Sequence, residues 1–214
     1  MYEVIVYVEG PSDKAAMYAL LDPLIEEKGR EGVRIDFFEA PPGDRKASVL
    51  TRVPLKAAAI IMNNPAAIVV AMPDLYPRDK AFPHETFGEL SAGVLSAFDR
   101  ALEARGIQCD ARLRSRFRVF CFKYDLEALV LACHQQLSER LRAKDLKVTW
   151  RIPVEDQDHD QPPRRVVEDL FASFGQNYRG TLDAPSILAG ANYNDIAAKC
   201  PQCFKPFVDF LRNL

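Results

Sequence analysis

The stretch Ile5-Val6-Tyr7-Val8-Glu9-Gly10-Pro11-Ser12-Asp13 decides the fold. Val4 to Val8 is a β-branched and aromatic run without charge, the composition of a strand covered on both faces. Gly10 permits a backbone conformation closed to other residues and Pro11 fixes its own φ, so the chain turns there. Ser12 or Asp13 can then accept from the free amides of the next turn. Met17, Leu20, Leu21, Leu24 and Ile25 follow at helical spacing. Glu9 therefore stands at the carboxyl end of a parallel strand, beside a helix N-terminus that favours anions. Open α/β sheets place their ligands at this edge, so metal or phosphate chemistry is the expectation there. A solvated turn carboxylate is the plainer reading of the same position.

Outward from this unit, strand and helix signals alternate. Val33 to Phe38 reads as a second strand and Pro41-Pro42-Gly43-Asp44 as a loop. Ala47 to Met62 has helical character, with Pro54 expected to interrupt or kink it. Ala67 to Met72 is a third apolar strand, and it ends in Pro73-Asp74, a second carboxylate directly beyond a strand. Phe87 to Arg105 carries Phe87, Leu90, Val94, Leu95, Phe98 and Leu102 on one broad helical face. Phe117 to Phe122 gives a fourth strand, followed by Lys123-Tyr124-Asp125 and a helix from Leu126 to Gln136. This alternation predicts the α/β class, with a mostly parallel four-stranded sheet flanked by helices. From about residue 137 the pattern changes. Leu146 to Ile152 suits an edge strand, Pro153 to Pro163 an acidic loop, and the remainder short helices separated by Gly and Pro. We expect an α/β domain over residues 1–136 and a helical C-terminal extension over 137–214 packed on it.

At 214 residues the chain can bury a substantial core. With 48% hydrophobic and 27% charged residues it has ordinary globular composition, and a net charge of −2 supplies no global positive field. Any contact with nucleic acid would have to be local. No uncharged apolar run approaches the ~20 residues of a membrane span, and the chain opens directly on a strand instead of a secretory leader, so a cytoplasmic location is the expectation. Five cysteines, an odd number in largely apolar segments, suit reduced buried thiols better than a disulfide frame. The absence of Gly-x-Gly-x-x-Gly and of a Gly-Lys-Ser/Thr loop argues against dinucleotide binding and autonomous ATP hydrolysis.

Three strand ends present acids: Glu9, Asp74, and the pair Asp125 and Glu127. On neighbouring strands these side chains would converge on one sheet edge. Carboxylates gathered without an equal set of bases need a divalent cation, and magnesium suits hard oxygen ligands. Asp125 is equally well placed to cap the helix that follows it. Glu127 either points inward at a cost or stays exposed in a first turn that favours acids. Arg112, Arg114, Arg116 and Arg118 alternate into the fourth strand and would project from one side, with Arg116 and Arg118 within the strand itself. Such a row could track phosphates or simply aid solubility.

Weaker signals read as structural. Cys200-Pro201-Gln202-Cys203 has the spacing of half a zinc site but lacks a second pair. His84 and His159 lie in polar loops and are expected in solvent, whereas His134 is expected as a satisfied core residue. The run Glu155 to Asp160 lacks the Gly and terminal Glu of an EF-hand and reads as a solvated acidic loop.

Val8-Glu9-Gly10-Pro11-Ser12-Asp13 resembles the opening motif of TOPRIM domains, the catalytic fold of topoisomerases, primases and OLD-type nucleases. Asp74 stands where that family places its metal-binding acids. Tyr124-Asp125-Leu126-Glu127-Ala128-Leu129 is similar to a His-Glu-Phe-Glu-Ala-Leu signature in an uncharacterised bacterial TOPRIM-like family, whose members are suspected of roles in phage defence or mobile elements. Ala184-Pro185-Ser186 and Cys200-Pro201 resemble lesser landmarks of that family, so the likeness extends over most of the chain.

The resemblance implies that Glu9 is the general acid or base at a phosphodiester bond, and that Asp74 is the first acid of an Asp-x-Asp metal pair served by Mg2+ or Mn2+. Tyr76 replaces the second acid of that pair, and the nearest later one is Asp79. Either Asp79 reaches back, with Asp125 or Glu127 completing the shell, or the site binds metal poorly. The leading expectation is a magnesium-dependent phosphodiesterase or nuclease acting on nucleic acid. The alternative, favoured by Tyr76, is a catalytically inactive TOPRIM-like binding module that partners an ATPase. A receiver-like or small-ligand α/β domain is a third class.

Overall fold

The computed structural model describes residues 2–146, 149–157 and 160–214. Strand β1 (Tyr2–Val8) leads through helix α1 (Pro11–Arg30) to β2 (Val33–Glu39), and α2 (Arg45–Asn63) leads to β3 (Ala67–Met72). Then follow α3 (Phe87–Glu103), the short α4 (Ala111–Ser115) and β4 (Phe117–Val119). The four strands form one sheet in the order β2-β1-β3-β4. Every pairing is parallel. Each strand-to-strand connection contains a helix, which is what a parallel return requires. Central β1 and β3 are the most apolar strands, and residues Val4–Val8 and Val69–Met72 are all buried. The fold class therefore agrees with the sequence pattern.

Contacts divide the chain into two compact units. One comprises residues 1–10 and 24–121, and the other residues 11–23 and 122–214. The boundary expected after residue 136 falls inside the second unit. In the first unit the sheet carries α2 and α3, which bury Val49, Leu50, Val53, Ala57, Leu90, Val94 and Phe98. Pro54 does not end α2, which continues to Asn63. A proline removes one amide hydrogen from the ladder, and here the buried face of the helix outweighs that loss. Thr86 and Glu89 form a capping box that starts α3.

The second unit is helical. The stretch expected as one helix over Leu126 to Gln136 is two, α5 (Glu127–Ala132) and α6 (His134–Leu141), separated at Cys133. All six residues of α5 are buried. A 3-10 turn (Val154–Asp156), α7 (Pro163–Ser173), α8 (Gly180–Ala189) and α9 (Tyr193–Lys199) pack against α5, and α10 (Phe204–Arg212) packs on α9. The edge strand expected over Leu146 to Ile152 lies partly outside the described residues, and residues 149–152 are not in a strand. The five cysteines are thiols outside any disulfide, four of them buried.

Candidate functional site

Pairing of Val8 with Met72 brings the carboxyl ends of β1 and β3 side by side. Since β2 lies on one side of β1 while β3 and β4 lie on the other, the winding reverses between these two strands. That switch point is where open α/β sheets leave a crevice for ligands. Glu9 and Asp74 flank it. The Asp74 amide donates to Glu9 Oε1 at 3.0 Å, tying the two strand ends together. Both side chains are half-buried.

Lys46, near the start of α2, supplies a base that the sequence reading overlooked. Only 7% of it is exposed, and its ammonium donates to the Pro77 carbonyl in the loop after β3. Burial pulls the Lys46 pKa below its ordinary value, while the negative charges of Glu9, Asp74 and Asp79 hold it up. The acids at this edge therefore already face a cation of the chain. A lysine that far from Glu9 in sequence carries no signal of its own; only the packing of α2 brings it here.

The loop that holds Asp79 is pinned at several points. Phe82 covers Gly93 of α3 so closely that a Cβ there would collide with the ring. Tyr76 donates its hydroxyl to the Glu85 carbonyl at 2.7 Å, and Asp79 Oδ1 accepts from the Ala81 amide at 2.7 Å. His84, expected in solvent, is 2% exposed, with Nδ1 at 3.1 Å from the Phe82 carbonyl. Among the described residues, no group of three or more His, Cys, Asp or Glu side chains could hold a metal ion.

Asp125 and Glu127 belong to the second unit. The chain reaches them through Tyr124, whose φ of 70° is left-handed. Such a backbone costs a residue with a Cβ about 1 to 3 kcal/mol. The N-cap residue of α5 is Leu126, and the Asp125 carboxylate accepts from the Glu127 amide in the first turn of α5 and, through Oδ2, from the Arg164 amide at 3.3 Å in the first turn of α7. Glu127 points inward, only 4% exposed, and accepts from the Tyr178 hydroxyl at 3.2 Å. Burial raises both carboxyl pKa values, and for Asp125 the charge of Glu127 adds to it; Arg164 pulls both down. The Tyr178 phenol is pushed up, first by burial and then by Glu127. Gly180 permits this crowding, because a Cβ there would meet Ser12 Oγ at 3.3 Å and Glu127 Oε1 at 3.5 Å.

The arginine row breaks up. Arg112 and Arg114 lie on α4, and Arg114 pairs with Asp99. Arg116 precedes β4; its Nε donates to the Ala67 carbonyl at 2.9 Å and its Nη2 to the Asn64 carbonyl, so its guanidinium closes the start of β3. Arg118 alone of the four lies within β4, and it is exposed. The alternation fails as a signal because α4 holds Arg112 and Arg114 at helical spacing and β4 begins only at Phe117, ending at Val119 short of the expected Phe122.

The acidic loop also departs from expectation. Glu155 is 1% exposed and accepts from the amides of Gln202 at 2.6 Å, Cys203 at 2.8 Å and Phe204 at 3.3 Å. It holds the Cys-Pro-Gln-Cys turn and the first amide of α10. Cys200 and Cys203 are buried there, and burial, then Glu155, pushes the Cys200 thiol up. Asp158 and His159 lie outside the described residues. His134 is exposed, not a core residue.

The chain belongs to the family described as "Domain of unknown function (DUF4276)", which it matches over residues 8–212. No curated protein matches it. Among solved structures it is similar to the C-terminal region of the Burkholderia pseudomallei OLD protein, with 15% identity and a TM-score of 0.49 over 100% of this chain and 98% of that one. No helix is long and apolar enough to cross a membrane among the described residues.

Proposed function

We propose that this protein is a TOPRIM-like nuclease or phosphodiesterase that acts on nucleic acid with Mg2+ or Mn2+. The observation that carries the reading is the bond from the Asp74 amide to Glu9 at the switch point, beside the Lys46 ammonium. Glu9 takes or returns the proton at the scissile phosphate, with its carboxylate oriented by that amide. Asp74 would hold the metal, with Asp79 as the second acid in place of the position taken by Tyr76. A bound metal supplies a Lewis acid for a phosphate oxygen and for the leaving group. Lys46 contributes fixed positive charge that draws a phosphate to the carboxylates. Arg116 and Arg118 enter this reading only as phosphate contacts to be tested singly, and Asp125 and Glu127, which belong to the second unit, stay outside it. A role in phage defence rests on the motif resemblance alone.

A second reading, a catalytically inactive TOPRIM-like module that binds an ATPase, is supported by Tyr76 and by the lack of a three-ligand group among the described residues. The two separate on incubation with single-stranded DNA, duplex DNA and RNA in magnesium or manganese, beside Glu9→Gln and Asp74→Asn. Cleavage by the wild type, lost in both variants, is expected. No cleavage in either metal selects the binding module, and cleavage that survives both substitutions removes this site from the chemistry.

A further inference from the structure

The second unit contains a pocket of about 330 Å³ that the proposed chemistry does not use. Leu131, Ala132 and Val154 form apolar lining, and Trp150, His134 and Lys199 bring the polar chemistry. The Trp150 and His134 rings lie 5.8 Å apart, tilted by 37°, so one aromatic wall is already assembled. Lys199 donates to the Ala132 carbonyl at 2.8 Å, which uses one of the three donors an ammonium carries. No carboxylate lines the pocket among the described residues. Ile152, at the same pocket, is 87% exposed.

We infer that this pocket binds a single nucleotide, with its base against Trp150 and its phosphate toward Lys199. The volume stands at the low end for small-ligand sites, which suits one ring system with its substituent and excludes a dinucleotide. An apolar floor with an indole wall accepts any base face, because stacking on an aromatic ring is tolerant of sequence. A cation without a competing carboxylate selects the anionic member among flat aromatic molecules. A free nucleoside monophosphate and an unstacked nucleotide of a single strand present the same base and phosphate. This inference goes beyond the proposed nuclease reading and does not depend on it.

Trp150 is the one tryptophan of the chain, so its emission reports occupancy directly. The full chain is titrated with dAMP, dTMP, adenosine and a short oligothymidylate, with a chelator present so that no cleavage intervenes. Expected is a saturable emission change with dAMP or dTMP below about 1 mM. Adenosine, without the phosphate, should bind about tenfold more weakly, and so should dAMP to Lys199→Gln, which retains a donor for Ala132 but not the charge. A response to the oligothymidylate alone identifies a strand nucleotide as the occupant and upholds the inference. Calorimetry on Trp150→Phe should show weakened binding, with circular dichroism confirming that both variants are folded. The emission change should persist in Glu9→Gln, which keeps this test apart from that of the nuclease site. No response to any of the four probes, or equal affinity in folded Lys199→Gln, overturns the inference.

Discussion

The two units hold the same acidic residue types at different depths. In the first, Glu9, Asp74 and Asp79 are half-buried at strand ends or in the loop beyond, beside one buried ammonium. In the second, Glu127, Glu155 and Asp183 are 4%, 1% and 2% exposed, and each is bonded to the chain itself. Glu155 holds three amides and Glu127 a tyrosine, while Asp183 binds Arg140 at 2.6 Å and the Arg179 amide at 2.6 Å. Parallel strands end with their ligands still to be supplied, whereas short helices begin with unpaired amides that need an anion. Carboxylates in the helical unit are enclosed by the bonds they make; those at the sheet edge, although Glu9 and Asp79 also accept from chain amides, stay half-buried and are the ones we propose for chemistry.

The largest expected effect sharpens this contrast directly. Glu9→Gln should lower cleavage by about 100-fold or more, as removal of a general acid or base does, while Glu127→Gln should leave the rate within about threefold. Equal losses in both variants, measured on one labelled oligonucleotide, would place Glu127 in the working site and erase the distinction. Next comes Glu155→Ala. Three amides, two of them in buried residues, then lose their acceptor, and thermal denaturation should show a loss of about 3 kcal/mol, or roughly 6 to 12 °C in Tm. Glu155→Gln should recover part of it.

Gly93→Ala drives a methyl group into the Phe82 ring and should cost about 1 to 2 kcal/mol. It should also weaken cleavage by shifting the loop of Asp79, and Phe82→Leu in the same chain should relieve the clash. The smallest effect concerns pH. Burial raises the Asp125 and Glu127 pKa values, so the folded state holds more protons than the unfolded chain in the window above the ordinary carboxylate range. Stability contributed by that pair is full below the unfolded pKa values and falls as pH rises toward the raised folded ones. Glu127→Gln should flatten this slope, with Tm a few degrees above the wild type at neutral pH and no advantage near pH 4. An unchanged slope would mean that burial does not control the pair.

Much of the sheet was legible. β3 begins and ends where the apolar run does, and β1 and β2 differ from their sequence limits by one or two residues. Period-two and uninterrupted apolar runs report burial directly, because a central strand is covered on both faces. Glu9 and Asp74 were legible for the same reason, as the first acids beyond such runs. Arg112 to Arg118 misled because the same alternation serves a short helix followed by a strand. Lys46 and Glu155 were invisible, since their partners lie far along the chain.

The sequence by itself determined the strand-helix alternation, the glycine-proline turn after Glu9 and the acid beyond each central strand, all of which follow from local periodicity and backbone freedom. Only the tertiary structure decided that β1 and β3 are neighbours, that Lys46 stands among the acids of the first unit, and that Asp125 and Glu127 belong to the other unit. Pairing order and charge proximity are properties of packed surfaces, and no local pattern of residues encodes them.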